Sequence, residues 1–201
     1  MKECDGREMT TGDVSNTDMS RRNFIRNAGT AAGVAGVAGM GVFGCEKQVK
    51  RVKLGRTGIE VSQFFGDRMA DRKLYELALD AGVNYWHKMG AWKDPAPYDL
   101  FTSRDRDSFY CDTVVGSLEK DKAIEIFERA LDKTGLECID GFKIHSRYRH
   151  AEDITEKTGA IEAFEQLKRQ GKTKYVMLSQ HVNTLEVFEA AVESEMFDLI
   201  Q

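Results

Sequence analysis

Apolar positions switch period repeatedly along the second three-quarters of the chain. Val52-Lys53-Leu54 and Ile59-Glu60-Val61 alternate apolar and polar around Gly55-Arg56-Thr57-Gly58, which predicts a short hairpin. Residues 62–66 read as a first buried strand. Leu74, Leu77, Ala78 and Ala81 then recur at helical spacing, with Gly82 as the stop. Residues 83–87 and 109–115 are apolar runs of strand length. Ala123, Phe127, Ala130, Leu131 and Thr134 form the next helical stripe, closed by Gly135. Residues 138–145 predict a fourth strand. Ala160, Ile161, Phe164 and Leu167 repeat the stripe up to Gly171. Residues 175–179 predict a fifth strand. Asn183 with Glu186 three residues on reads as a capping box that opens another helix. Residues 197–201 predict a sixth strand.

Strands alternating with helical stripes predict βαβ units and a parallel sheet, hence an α/β fold. No strand runs into G-x-G-x-x-G, so a glycine-loop dinucleotide fold is disfavoured. The better match is a (β/α)8 TIM barrel, for which eight strands and about 250 residues are typical. About six βα units are present and the sixth strand reaches the last residue. The expectation is therefore a partial barrel, cut short at its C-terminal side.

The chain has 201 residues, 41% hydrophobic and 31% charged, as a folded domain does. Its formal net charge of -4 leaves no basic excess for gripping nucleic acid. Four Cys and four His are too scattered for a disulfide scaffold or a zinc finger.

The first 45 residues read as an address. Ser20-Arg21-Arg22-Asn23-Phe24-Ile25-Arg26 looks like a twin-arginine export signal, and residues 27–44 are an uncharged Ala, Gly and Val run. That run is too mildly apolar for a membrane span. Val42-Phe43-Gly44-Cys45 resembles a lipoprotein box, so Cys45 is the candidate for lipid anchorage. The expected organisation is a signal peptide over 1–45 and a partial barrel over 46–201. The expected location is exported, either periplasmic or held at the membrane as a lipoprotein. The translocation machinery is then a partner.

The order of motifs resembles the aldo/keto reductase superfamily. Lys53-Leu54-Gly55-Arg56-Thr57-Gly58-Ile59-Glu60-Val61-Ser62 looks like that family's N-terminal hairpin. Ala78-Leu79-Asp80-Ala81-Gly82-Val83-Asn84-Tyr85 looks like its first helix and second strand. Ile139-Asp140-Gly141-Phe142-Lys143-Ile144-His145 looks like its fourth strand. Leu178-Ser179 and Asp198-Leu199-Ile200-Gln201 fit its fifth and sixth. The resemblance implies an oxidoreductase that reduces a small-molecule carbonyl with NADP(H) or NAD(H). It also implies a proton-donating Tyr, tuned by a Lys and an Asp, and a His that orients the carbonyl.

Carried onto this chain, the Asp falls on His87, the Tyr on Trp92 and the Lys near Val114; the His is kept as His145. The tetrad is mostly replaced, and an indole donates a hydrogen bond but releases no proton at useful pH. The pair that holds the nicotinamide amide falls on Ser179 and Gln180, and the sixth-strand Gln on Gln201. The candidate catalytic residues are thus His145, His87 and Trp92, and the candidate cofactor residues Ser179, Gln180 and Gln201. The family's phosphate-binding loops follow its seventh and eighth strands, which the expected partial barrel lacks.

Two other readings stand beside this one. The chain fits a non-catalytic exported binding or scaffold module that uses the barrel mouth. It also fits a metal-dependent barrel with His87, His145 and His181 on one rim, although no tight ligand motif supports a metal. Lys143 shares strand parity with His145, so both are expected to face the barrel interior.

Overall fold

The computed structural model describes residues 49–91, 96–155 and 158–201. The twin-arginine segment, Cys45 and Trp92 lie outside the described residues.

The predicted hairpin forms. β1 (Arg51–Lys53) pairs antiparallel with β2 (Glu60–Ser62), Val52 opposite Val61. A single 3-10 turn, Gly55–Thr57, connects them, and Gly58 closes it at φ 77°, a conformation that favours glycine. The strand expected over 62–66 is reduced to β2's last residue and one parallel bridge from Gly66 to Trp86. Gly66 N–H donates to Tyr85 O at 2.7 Å, and His87 N–H donates to Gly66 O at 2.8 Å. The approach is so close that a Cβ on Gly66 would lie 2.2 Å from the Trp86 ring.

Five strands then build one parallel sheet in chain order: β3 (Tyr85–Trp86), β4 (Tyr110–Val115), β5 (Gly141–His145), β6 (Tyr175–Ser179) and β7 (Leu199–Ile200). Helix α1 (Arg72–Asp80) precedes β3, and α2 (Asp99–Thr102), α3 (Lys120–Thr134), α4 (Glu152–Thr155), α5 (Gly159–Arg169) and α6 (Thr184–Ser194) lie between the strands. This is part of a β/α barrel, as the alternation of periods predicts. Among the described residues β7 has β6 as its one strand neighbour.

The core has two layers. Trp86, Phe101, Phe109, Phe127, Phe142, Ile144 and Leu178 belong to a large cluster that joins sheet to helices. Val61, Tyr85 and Met177, with Leu54 and Leu199 against them, form a smaller cluster under the hairpin.

Three local readings change. In α1, Tyr75 is the buried residue, while Leu74 and Leu77 are 43% and 66% exposed. Tyr75 stacks on Trp86 at 5.6 Å, and that aromatic contact sets the helix's rotation. The fourth predicted strand starts at Gly141 because the preceding Asp140 turns its carboxylate to Arg106 and Lys174. Asn183 sits at the N-cap of α6 but in the left-handed region, without a capping bond. Its amide donates to Arg149 O, and Glu186 accepts from Ala151 N–H, so both side chains tie α6 to the loop after β5.

Candidate active site

Alternation on a strand decides which side chains share the sheet's inner face. On β4 that face carries Asp112, and on β5 it carries Lys143 and His145. Register puts Asp112 beside Gly141, Lys143 beside Met177 and His145 beside Ser179. Gly141 makes room for the acid: a Cβ there would lie 2.7 Å from Asp112 Cβ and 2.6 Å from Met177 Sδ.

Asp112 is completely buried and is the hub of the inner face. Its Oδ1 accepts from the backbone N–H of Lys88 at 3.0 Å and lies 2.7 Å from Lys143 Nζ. Its Oδ2 accepts from the Tyr85 hydroxyl at 3.1 Å and meets His87 Nδ1 in a very short contact. A carboxylate has about four acceptor positions, and all four are occupied. Burial alone pushes the Asp112 carboxyl up; the His87 bond and the Lys143 charge outweigh it and hold the group below the usual carboxylate range. Burial and the neighbouring Asp112 push the Tyr85 phenol strongly up, so it stays protonated.

Lys143 is 1% exposed. Its Nζ also lies 3.0 Å from His87 Nδ1 and 3.4 Å from Gln201 Oε1. Val114, where the resemblance puts the lysine, is the register partner of Lys143. A buried ammonium thus lies on the strand next to Val114. Asp112, which the sequence reading leaves unassigned, is the acid that binds it. The available signal was a charged residue within an otherwise apolar strand whose two faces are both covered.

His145 forms a second cluster. Its Nδ1 lies 3.1 Å from Ser179 Oγ, and its ring packs edge-on to His181 at 4.9 Å between centroids. Burial first, then the charges of His181 and Lys143, hold its imidazolium below the usual histidine range. Gln180 is buried, and its amide NH2 donates to Tyr148 O and Val182 O, both at 2.6 Å. Its Oε1 is buried without a hydrogen-bond partner. Gln201 uses both ends of its amide: Oε1 faces Lys143, and Nε2 lies 3.1 Å from His87 Nε2.

His87, His145 and His181 do not gather as metal ligands. Among the described residues, the group whose ligand atoms all lie within 4.8 Å of one another is His150, Glu152 and Glu186, all exposed. A groove of about 220 Å³ runs along the inner face from Leu54 and Val61 to His87 and Gln201.

Three solved structures that share this architecture are aldo-keto reductases. One, thermostable and in complex with the inhibitor epalrestat, matches with a TM-score of 0.58 and 18% identity over 73% of this chain and 59% of that one. The chain shares the aldo-keto reductase fold. An enzyme from Brucella melitensis matches at 0.56 and 18% identity, over 77% of this chain and 62% of that one. A third, the holo form of an aldo-keto reductase from Bacillus halodurans, matches at 0.61 and 20% identity, over 73% and 55%. The chain thus spans 55–62% of the length of these structures. No family model and no curated protein sequence matches it.

On this partial β/α barrel, His87, His145, Ser179 and Gln201 stand at the C-terminal ends of their strands, the end where barrel enzymes carry their sites. The residues present fit the amide end of a nicotinamide. Gln180 Oε1 has acceptor capacity left, and Ser179 Oγ lies beside it in sequence, next to His145. Gln201 is engaged inside the protein instead.

Proposed function

We propose that this protein is an oxidoreductase that reduces a small carbonyl compound with NADH or NADPH. The observation that carries the reading is the pairing of His145 with Ser179 at neighbouring strand ends, beside the unpartnered Oε1 of Gln180. On a fold shared with aldo-keto reductases, that is where a nicotinamide and a carbonyl would meet. Ser179 and Gln180 hold the carboxamide in this reading, and His145 gives a hydrogen bond to the substrate oxygen. The bound nicotinamide supplies the hydride. Because burial and nearby cations favour its neutral form, His145 orients the carbonyl rather than charging it.

The protein is, in the same reading, exported by the twin-arginine route and held at the membrane through a lipid on Cys45. Arg21-Arg22 and Val42-Phe43-Gly44-Cys45 support this.

The test is oxidation of NADPH and NADH by the full chain against a panel of aldehydes. Turnover that His145→Ala lowers by about 10²–10⁴-fold supports the reading. A folded full chain without turnover rejects it. One observation favours a non-catalytic binding module instead: Gln201 engages both Lys143 and His87, which leaves the inner cluster internally satisfied. That alternative predicts saturable binding of a small ligand with no consumption of nicotinamide.

A further inference from the structure

We infer that the acid–base group of this reaction is a His87–Asp112 pair, with Lys143 and Tyr85 as positioning residues. The inference rests on the carbonyl-reductase reading and assigns the proton that this reading requires.

Proton bookkeeping leads to His87. The Asp112 carboxylate accepts from Lys88 N–H, Lys143 Nζ and the Tyr85 hydroxyl, and its contact with His87 Nδ1 is shorter than the 3.0 Å from that nitrogen to Lys143 Nζ, so Asp112 rather than Lys143 is the hydrogen-bond partner of Nδ1. The proton between them therefore sits on Nδ1, and Nε2 is left as the exchanging nitrogen. The other end of the ring agrees. Gln201 Oε1 faces the Lys143 ammonium, which only donates, so the Gln201 amide nitrogen is the atom at His87 Nε2. An NH2 donates to Nε2 there, as an alcohol hydroxyl would. His87 borders the groove and Gln201 is exposed, so movement of one side chain opens Nε2 to a substrate oxygen.

The neighbouring candidates are excluded by their surroundings. Tyr85 is buried, donates to Asp112 and has its phenol pushed strongly up. Lys143 is 1% exposed and spent on Asp112. The charged and titratable groups around His87 are Asp112 from β4, Lys143 from β5, Tyr85 from β3, and Lys88 with its partner Asp67.

In the reductive direction Gln201 moves aside and Nε2 first takes a proton from solvent, so that each ring nitrogen carries one. The carbonyl carbon receives the hydride that a reduced nicotinamide supplies. The carbonyl oxygen takes the proton from Nε2, so one N–H bond breaks and one O–H bond forms. The carbonyl is reduced to an alcohol and the nicotinamide is oxidised. His87 is left neutral, its Nδ1–H still on Asp112, and a solvent proton restores it. In reverse, the bare Nε2 takes the alcohol's proton.

Two measurements on the full chain test this. The first is imidazole ¹⁵N NMR, with the His87 signal assigned by its loss in His87→Gln. The neutral imidazole of the wild type is expected to carry its proton on Nδ1 rather than Nε2, and Asp112→Asn to lose that preference. Protonation on Nε2 with Nδ1 bare in the wild type overturns the pair, whether or not the protein turns over. Asp112→Asn removes a buried charge and is prone to unfold; the wild-type spectrum stands without it. The second is kinetics: His87→Gln is expected to lower kcat by about 10²–10⁴-fold while cofactor binding changes little. Full turnover in His87→Gln overturns the pair and leaves the carbonyl-reductase reading intact. No turnover in the wild type overturns both.

Discussion

Two buried aspartates on adjacent strands show how the same residue type does different work. Asp112 lies on β4, and Asp140 stands one residue before its register partner Gly141. Both are almost fully buried, and both are paired with cations. The cations differ. Asp140 is bound by Arg106 at 2.6 Å and Lys174 at 2.9 Å, whose side chains are 29% and 47% exposed. Its carboxylate also accepts from Cys111 N–H, so it clamps the start of β5 to β4 and to the turn before it. Asp112 is bound by a lysine that is 1% exposed, and its remaining lone pairs go to Tyr85, Lys88 and His87. Asp140 ties backbone at the N-terminal end of the sheet, where barrel residues serve stability. Asp112 directs one side chain, His87, toward the groove. A buried acid whose cations reach solvent is a clamp; one sealed with its cation can set the proton position on a neighbour.

The largest expected effect comes from removing the sealed cation. Lys143→Met leaves the buried Asp112 without its ammonium partner, held only by His87, Tyr85 and Lys88 N–H, and is expected to cost about 3–5 kcal/mol in denaturant unfolding. The Asp140 clamp should be weaker. Asp140→Asn is expected to cost about 1–3 kcal/mol and to leave the His87 NMR tautomer unchanged. A shifted tautomer in that variant would show that the two aspartates are one network.

Acid sharpens the same contrast. The Asp112 carboxyl is held below its unfolded value, so its contribution to stability is present above the unfolded value of about 3.9. That contribution is lost as pH falls through the folded value. Asp112→Asn should flatten this part of the stability curve, provided the variant folds. The smallest effect is expected for Lys174→Met: its ammonium is half exposed, and the loss should be about 0–1 kcal/mol by thermal or denaturant unfolding.

The fold was largely legible because periodicity reports burial directly. The stripe from Ala123 to Thr134 lies in α3 with every named residue buried and Gly135 as its C-cap, and residues 175–179 are β6 as expected. Legibility failed where a long-range contact overrode the local pattern. Leu74 and Leu77 share a helical face, yet the Tyr75–Trp86 stack turns that face outward. The strand near Gly66 shrank to a bridge because the Trp86 ring occupies the space beside it.

The candidate site was legible only residue by residue. His87, His145, Ser179 and Gln201 were placed at strand ends from spacing, and the inward parity of Lys143 was visible. Its partner was not. Lys143 meets Asp112 through cross-strand register, which no spacing along one strand reveals. Val114, where the resemblance puts the family lysine, is the register partner of Lys143. Gln180 was assigned to a cofactor by position, and the fold uses its NH2 to hold the loops after β5 and β6.

The proposed reaction is direct hydride transfer at the mouth of this barrel. Its most direct test is to supply reduced nicotinamide deuterated at the transferable position, together with an aldehyde, and analyse the alcohol by mass spectrometry. One deuterium on the carbinol carbon is expected from the wild type, and loss of that product with His87→Gln. A folded wild-type protein that binds the nicotinamide yet leaves the aldehyde unlabelled and unreduced would contradict it.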